Sequence, residues 1–461
     1  MSHRNILLGA FIALGLASSA AQVRAADPVW ARHMIKKIHL MVKRDKPIIP
    51  HRVFNITAYG AVGNGKKLNT RAISQTIAAC AKAGGGEVLI PAGRFLTGPL
   101  TLKSKMNLHV AAGATLLMAT NPALYIPSPA QRNIVHPGYR NCIVALRANN
   151  VEISGHGVID GQGQAWWPRY RNLPGHKHPP KLPHRPFLVV LDGCHRVMVQ
   201  NVHLENSPMF HLVPTRCRDV IIDHVLITAP INTPNTDACD PSGWNFYITH
   251  CTFNEGDDCI AIKASARHGT PSHPSCENYL ITHCTFKHGH GMSVGGQTNG
   301  CLKYVVVRNC TFDHTHRGVR LKAGPRYGGL VEYLLYQNLT MHNVRLPVFI
   351  NSFYPKKPKT PSQIPALPRT HLLPIWKHVI FENIVSTHSP HAGRISALTQ
   401  FPATDITFRN VHIHANRGFT IMNARGIRFI HSSISAAHGP AIIAYNARIS
   451  GIHLKSGKSR P

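Results

Sequence analysis

Three aspartates lie close together in a sequence that contains few acidic residues, since Asp and Glu number only 19 among 461 residues. Asp237 ends the Asn-Thr-Asp triplet 235–237, and Asp258 follows 21 residues later, beside Asp257 in the Gly-Asp-Asp-Cys segment 256–259. Clustered carboxylates repel one another, and this repulsion raises the pKa of one of them. Two carboxyls with different pKa values can act as general acid and general base. The spacing therefore predicts an acid/base site.

A histidine follows in the Gly-His-Gly segment 289–291. His290 lies 7 residues after His283, just as Asp257 lies 7 residues after His250. The two pairs thus share one phase of the repeat that is described below, and residues in one phase of a stacked repeat are neighbours on adjacent coils. We expect His290 to lie beside Asp257.

Two cations complete the set. Arg320 and Lys322 flank Leu321, and residues i and i+2 of a strand point to the same face. Arginine can bind a carboxylate through two parallel hydrogen bonds, so this pair is suited to hold an anionic group. Each motif alone is weak, because Gly-Asp-Asp is common in turns and Arg-x-Lys on solvated strands. Their order and spacing together favour a functional site.

A short pattern of alternating apolar and polar residues around an Asn or His recurs along the second half of the chain. Most of its intervals are 21–33 residues, and one of 45 residues, between 338 and 383, marks an insertion. Repeats of this length that are built on short strands are typical of a parallel β-solenoid. The central positions are Asn201, His224, His250, His283, Asn309, Asn338, Asn383, Asn410 and His431.

These Asn and His residues are predicted to stack at one bend as turn residues, and the histidines are not interpreted as metal ligands. Cys251, Cys284 and Cys310 share the phase just after that turn, which favours an interior stack over a redox site. The chain has 11 cysteines, so at least one stays unpaired.

The first part of the chain lacks this repeat. Residues 70–83 have the apolar pattern of an amphipathic helix, which is expected to cap the first coil. Residues 26–50 form a basic N-terminal segment without clear periodicity. Two stretches rich in Pro, Lys, Arg and His, 165–186 and 354–375, are predicted loops that either wall a groove or are simply solvated.

The charge of the chain is strongly positive, with 51 Lys and Arg giving +32. Such a field attracts polyanions. Residues 1–25 have the basic start and apolar run of a secretory signal peptide with cleavage near Ala25-Ala26, and no later segment is apolar enough to span a membrane. We therefore expect a secreted or periplasmic protein whose partner is an acidic polysaccharide, with no nucleic acid and no membrane as partner.

Taken together, the motifs Asn-Thr-Asp, Gly-Asp-Asp, Gly-His-Gly and Arg-Leu-Lys, in this order, closely resemble glycoside hydrolase family 28, the polygalacturonases. Further segments match the family's pattern, and the long loop at 265–276 is similar to that of its bacterial-type members. These further segments are 56–70, 84–102, 157–167, 206–212 and 326–332.

The resemblance implies an all-β chain: a single-domain, right-handed parallel β-helix of about ten coils over residues 51–461, with a short N-terminal capping helix. It implies hydrolysis of α-1,4-galacturonan with inversion. No cluster has the ligand spacing of a metal site, so we expect a monomer that needs no cofactor and no metal. By analogy, Cys259 and Cys284 could pair across adjacent coils. The family's pattern also carries over residue roles, and the acid and base carboxyls of an inverting enzyme lie roughly 6.5–9.5 Å apart. The implied roles are general acid for Asp257, water activation for Asp237 and Asp258, assistance by His290, and substrate binding by Arg320, Lys322 and Asn235.

Three other functions are weighed against this one. A rhamnogalacturonan hydrolase would share the fold but generally lacks the full His and Arg-x-Lys set. A pectate lyase would use Ca²⁺ and an arginine base, against which the three aspartates argue. A non-catalytic β-helix that binds polysaccharide or a host surface would have no need of them.

Overall fold

The computed structural model describes residues 26–126, 140–168, 185–265, 269–358, 360–364, 367 and 372–452. The predicted signal peptide lies outside the described residues, as do most of loop 165–186 and parts of loop 354–375.

The described part of the chain is built mainly from short strands, with two α-helices near the N-terminus. The helices are α1 (Val29–Arg44) and α2 (Thr70–Lys82). Strands of the first half are β1 (Val53–Asn55), β2 (Asn64–Leu68), β3 (Gly86–Ile90), β4 (Gly93–Thr97), β5 (Leu100–Leu102), β6 (Met106–Val110), β7 (Ala114–Met118), β8 (Ile143–Leu146), β9 (Asn149–Ser154), β10 (Val158–Asp160), β11 (Val189–Asp192), β12 (His195–Gln200), β13 (His203–Glu205), β14 (Leu212–Thr215) and β15 (Cys217–Asp223). Those of the second half are β16 (Leu226–Thr228), β17 (Gly243–Thr249), β18 (Thr252–Glu255), β19 (Ile260–Ile262), β20 (Cys276–Thr282), β21 (Thr285–His288), β22 (Met292–Gly296), β23 (Leu302–Asp313), β24 (Val319–Ala323), β25 (Leu330–His342), β26 (Val348–Asn351), β27 (Ile375–Ser396), β28 (Ala403–Ile430) and β29 (Ser433–Ser450).

All strand pairings are parallel, and they form three ladders that run along the molecule. The first ladder joins β1, β3, β6, β9, β12, β15, β17, β20, β23, β25, β27 and β28. The second joins β2, β4, β7, β10, β13, β16, β18 and β21 and continues into β23. The third joins β5, β8, β11 and β14 and then, through bridges at Cys239, β19, β22, β24, β26 and β27. The prediction of a parallel β-helix is confirmed.

The interior of the helix is a column of apolar side chains. Because side chains alternate across each strand, every coil sends one set inward, where it meets the equivalent residues of the next coil. Phe286 and Phe312 stack with ring centroids 4.4 Å apart, and Phe381 and Phe408 stack at 4.8 Å. All four rings are fully buried.

The repeated asparagines form a stack at one bend, as predicted. The side-chain amide of Asn338 donates to Asn309 at 3.0 Å, that of Asn383 to Asn338 at 3.0 Å, and that of Asn410 to Asn383 at 2.8 Å. All four residues have positive φ angles, a conformation that asparagine tolerates better than most residues.

The repeated histidines occupy equivalent turns and stack ring on ring. The ring centroids of His224 and His250 are 4.6 Å apart at an interplanar angle of 11°, and those of His250 and His283 are 5.2 Å apart. Asp223 lies beside the first two histidines, close enough that the three could reach one ion. The rings are nearly parallel, however, so their in-plane lone pairs run side by side instead of converging on a tetrahedral centre.

The suggested disulfide is wrong, because all 11 cysteines are free and buried. Cys284 precedes β21 of the second ladder, and its thiol neighbours those of Cys251 and Cys310 in the interior. Cys259 precedes β19 of the third ladder, and its thiol donates to the carbonyl of His288 at 3.4 Å. Cys284 donates to the carbonyl of Thr282 at 3.4 Å, so the two thiols have separate partners.

The basic N-terminal segment, for which no periodicity was recognised, contains helix α1. Its apolar residues recur every three or four positions and pack on outward-facing residues of the first ladder. The contact joins Ala31, Met34, Ile35, Ile38 and Met41 to Met198, Ile221, Leu280, Val306 and Leu335. Lys, Arg and His side chains that face solvent lie between these apolar residues, so the helical pattern was not recognised in the sequence.

Helix α2 is the predicted capping helix. Ile73, Ile77 and Cys80 face the first coils and are buried there. Neither helix of the described residues has the length and apolar character that a membrane crossing requires.

Candidate active site

The polar motifs meet on the outer side of the third ladder. Asp237 lies between β16 and β17, the pair Asp257 and Asp258 between β18 and β19, and His290 between β21 and β22. The rungs of this ladder align the residues two or three positions further on. These rung residues are Cys239, Ile260 and Met292, and the next rung holds Val319, which directly precedes Arg320. Turns of matched length on successive coils thus bring the motifs together from positions far apart in sequence.

Asp258 is the most tightly held residue of the site, with its side chain 1% exposed. Nη1 of Arg320 lies 2.6 Å from Oδ1, Nζ of Lys322 pairs with Oδ2, and Ser293 donates its hydroxyl to Oδ1 at 3.1 Å. Burial alone would raise the pKa of Asp258, but Lys322, Arg320 and His290 hold that pKa well below its ordinary value. Asp258 is therefore ionised.

Asp257 and His290 form a hydrogen-bonded pair. Nδ1 of His290 lies 2.9 Å from Oδ1 of Asp257, and the backbone N–H of His290 donates to the carbonyl of Asp257 at 2.5 Å. Burial acts against both charges, yet the pair lowers the pKa of Asp257 and raises the pKa of His290. The predicted neighbours are thus in contact. In the free protein the shared proton resides on the imidazole.

Asp237 carries the raised pKa that the clustering predicts. Burial and the nearby Asp240 and Asp257 raise the pKa of Asp237 well above its ordinary value. Nζ of Lys263 lies 3.5 Å from Oδ2 of Asp237 and 3.1 Å from Oδ2 of Asp240. Burial also raises the pKa of Asp240 to about 6, against the attraction of Lys263. The three aspartates of the prediction therefore differ in proton affinity.

Arg320 and Lys322 project outward from β24, while Leu321 between them is buried in the interior. Both cations contact Asp258, and the ring of Tyr354 lies 5.7 Å from the guanidinium carbon of Arg320 and 5.0 Å from Nζ of Lys322. Their main contact in the free protein is thus a carboxylate of the site. Binding of a substrate carboxylate by the pair stays a prediction.

Asn235 is held by a neighbouring arginine. Its Oδ1 accepts a hydrogen bond from Nη2 of Arg185 at 2.9 Å, and Nη1 of Arg185 also donates to the carbonyls of Pro208 and Pro234. Asn235 has a positive φ of 55° and starts the turn that ends at Asp237. The residue orients this turn, and its predicted contact with substrate is untested.

Comparison with known proteins agrees with this geometry. The family model for glycosyl hydrolases family 28 matches residues 80–435. The chain belongs to this family. An exopolygalacturonase of Zea mays is 32% identical over 377 residues, which cover 79% of this chain and 84% of that protein. An endo-polygalacturonase of Pectobacterium carotovorum is 29% identical over 342 residues, covering 71% of this chain and 80% of that protein.

A solved structure of similar shape is that of an exopolygalacturonase from Thermotoga maritima. It has a TM-score of 0.71 and 25% identity, and the match covers 92% of this chain and 97% of that one. Relatives from plants and bacteria thus both resemble this family 28 chain, so its expected bacterial type is not established.

Three residues of this family 28 site were missed in the sequence. Asp240 and Lys263 form the ion pair beside Asp237. His211 is fully buried, accepts the backbone N–H of Ser207 at 3.2 Å and contacts the carbonyl of Asp237 through Nδ1 at 3.2 Å. Burial lowers the pKa of His211 to about 4, so it is a neutral support for the turn. The scarcity of acids could have drawn attention to Asp240, three residues after Asp237.

The site also contains a group with metal-binding distances. Ligand atoms of Asp257, Asp258 and His290 all lie within 4.8 Å of one another. Arg320 and Lys322, however, already place positive charge on both oxygens of Asp258, so a cation bound there would be repelled. These residues do not fit a metal centre.

Proposed function

We propose that this family 28 protein is a secreted polygalacturonase that hydrolyses α-1,4-galacturonosyl linkages of pectin with inversion. The observation that carries the proposal is the division of charge within one cluster: Asp258 is ionised by Arg320 and Lys322, next to an Asp257–His290 pair that retains a proton. An inverting hydrolase needs a proton donor and a carboxylate in the same groove, and here the proton of the donor pair is held by His290 beside Asp257.

Asp257 is the general acid in this proposal. Its side chain is 25% exposed, whereas that of Asp258 is 1% exposed, so Asp257 is the one that can reach a glycosidic oxygen. The proton moves from Nδ1 of His290 across the 2.9 Å hydrogen bond to Asp257 and then to the leaving oxygen, as the bond from C1 to that oxygen breaks. His290 thereby acts as the proton reserve of the acid.

Water activation falls to Asp258 and Asp237. The Asp258 carboxylate is charged, so it can accept the proton that the water loses as the oxygen of that water attacks C1. The oxygens of Asp257 and Asp258 approach within 4.8 Å of one another, which is closer than the roughly 6.5–9.5 Å between the acid and base carboxyls of an inverting enzyme, so the stereochemical outcome is the part of the proposal that most needs an experimental test. Burial, Asp240 and Asp257 raise the pKa of Asp237 well above its ordinary value, so Asp237 holds a proton more readily than Asp258 and is suited to orient the water by hydrogen bonding. Water enters opposite the leaving oxygen, so the configuration at C1 is inverted.

The proposed partner is an acidic polysaccharide, and the proposed state is a secreted or periplasmic monomer. The +32 charge would draw such a polyanion to the groove in a salt-dependent way. N-terminal sequencing of the exported protein tests secretion, since cleavage near Ala25-Ala26 is expected. A mature protein that starts at Met1 would contradict it.

Proton NMR of a digest of polygalacturonate tests the reaction itself. The first reducing ends released should be in the β configuration, opposite to that of the α linkage, and should then mutarotate. Reducing ends that first appear in the α configuration would show retention. Unsaturated products that absorb in the ultraviolet would show a lyase instead.

A further inference from the structure

A second group of cations lies beside the catalytic residues, towards the C-terminal end of the β-helix. We call it the arginine cluster; it consists of Arg317, Arg345 and Arg394. Arg394 is two rungs beyond Arg320 in the third ladder, with Phe349 on the rung between them. Strand spacing places the two backbones roughly 10 Å apart.

Close contacts hold the cluster together. The guanidinium carbon of Arg317 lies 5.2 Å from the ring centroid of Phe349, so it sits over the rung that separates Arg320 from Arg394. The backbone N–H of Arg345 donates to the carbonyl of Thr315 at 3.0 Å, which places Arg345 one coil beyond Arg317. The three arginines therefore come from adjacent coils, and the charges of Arg345 and Arg394 act on Arg317.

These arginines have no direct carboxylate partner among the described residues, and Asp258 acts on Arg317 only from a distance. Among the described residues, none of the three forms an ion pair with Asp or Glu, and Nε of both Arg317 and Arg394 is buried without a hydrogen-bond partner. All 19 Asp and Glu residues of the chain belong to the described part, so the remaining residues hold no acidic side chain. The cluster therefore has free capacity to pair with the anionic group of a bound molecule.

The crowding is energetically costly in the free protein. Burial lowers the pKa of Arg317 to about 10, together with the charges of Arg320, Arg345 and Arg394. Burial also lowers the pKa of Lys357, as do nearby Arg317, Arg320 and Lys322, so Lys357 links the cluster to the catalytic cations. An anion that binds here would relieve this repulsion.

We propose that the arginine cluster is a subsite for the carboxylate of a second galacturonosyl residue, on the same substrate chain as the one cleaved at Asp257. The inference rests on the proposed function. Continuity with Arg320 along the third ladder places this carboxylate beyond the scissile bond, and guanidinium groups match a carboxylate through paired hydrogen bonds. The cluster would thus select de-esterified substrate over methyl-esterified substrate.

Binding measurements on a turnover-deficient protein test this subsite. In the Asp257→Asn background, trigalacturonate and its methyl ester are titrated calorimetrically into the parent and into the additional variants Arg394→Gln and Arg345→Gln. Both variants should bind trigalacturonate roughly tenfold or more weakly, because each loses a charge-assisted contact. Affinity for the methyl ester and for monogalacturonate should change less than twofold. Arg345 is exposed, so its variant should fold even if Arg394→Gln does not.

The matched control is Arg71→Gln, which removes the same charge from the exposed side of α2. Unchanged trigalacturonate affinity in the Arg345 and Arg394 variants, with active wild type on polygalacturonate, would overturn the subsite and leave the proposed function intact. Equal losses for the acid and the ester would also overturn it, because they indicate a structural role. A wild-type protein that does not hydrolyse polygalacturonate would instead refute the proposed function.

Discussion

Lys322 and Asp258 form an ion pair whose side chains are almost completely buried, 4% and 1% exposed. A buried charge is costly unless it is paired, and loss of one partner leaves the other uncompensated. Arg320 adds a second contact to the same carboxylate at 2.6 Å. The Arg-Leu-Lys motif therefore acts first on the charge state of Asp258.

Replacement of Lys322 tests this relationship. In Lys322→Met the largest favourable charge beside Asp258 is lost, so the pKa of Asp258 should rise from its depressed value. Asp258 must be ionised to accept a proton, so the acid limb of the kcat/KM profile should move to higher pH. We expect kcat/KM at the optimum to fall roughly tenfold or more. The measurement is the pH profile on polygalacturonate.

Lys303→Met is the matched control, since Lys303 pairs with Glu332 at 3.1 Å and lies on the first ladder, whereas the aspartates lie at the third. Its profile should match that of wild type. If the loss of kcat/KM in Lys322→Met is much smaller on methyl-esterified substrate than on polygalacturonate, then Lys322 acts mainly on the substrate carboxylate and not on the pKa of Asp258.

Removal of the proposed acid should stop turnover. Asp257→Asn keeps the shape of the side chain but cannot donate the proton, and general acid catalysis contributes roughly a hundredfold to ten-thousandfold in rate. We expect kcat to fall by at least that lower factor, with the affinity for oligogalacturonates largely retained. Single-turnover assays and binding titrations give the two values. A folded variant with near-wild-type kcat would exclude Asp257 as the acid.

The pH dependence of the acid should follow His290. Asp257 and Asp258 raise the pKa of His290 above its ordinary 6.5 in spite of burial, so the pair keeps its proton beyond that pH. In His290→Asn the proton reserve is absent, and the alkaline limb of kcat/KM should shift to lower pH. The control is His316→Asn, whose ring lies 5.3 Å from that of His290, while the hydrogen bond to Asp257 comes from His290. An unshifted alkaline limb in His290→Asn would show that Asp257 holds its proton unaided.

The neighbourhood of Asp257, Asp258 and His290 was predictable because coil-length intervals in the sequence place equivalent positions on adjacent rungs. The hydrogen-bond and ion-pair partner of each side chain could not be predicted. Lys322 lies 64 residues after Asp258, and only the register of β19, β22 and β24 and the direction of both side chains reveal their contact. Helix α1 was not predicted for another reason. Solvated cations interrupt its apolar stripe, and the apolar outer face of the first ladder on which the stripe packs cannot be recognised in the sequence.

Chelation should have no effect on activity. Both oxygens of Asp258 already have cationic partners, so the Asp257–Asp258–His290 group gains nothing from a metal ion. Initial rates on polygalacturonate with EDTA and with added Ca²⁺ should be equal within error. A loss of activity with EDTA that Ca²⁺ restores would support a lyase or another metal-dependent reaction.

The packing of helix α1 gives a prediction about stability. Ile38 is fully buried between the helix and the outward face of the first ladder, where it belongs to one cluster with Leu280 and Val306. Ile38→Ala leaves a cavity in that contact, and such truncations cost about 2–5 kcal/mol. We expect the free energy of unfolding, measured by urea denaturation, to fall by about 2 kcal/mol or more.

The control is Lys37→Ala, at an exposed position one residue away, whose free energy of unfolding should stay within about 0.5 kcal/mol of wild type. Since α1 does not contact the catalytic aspartates, kcat/KM of the folded Ile38→Ala protein should equal that of wild type. Equal stability of both variants would mean that α1 is not a firmly packed part of the fold.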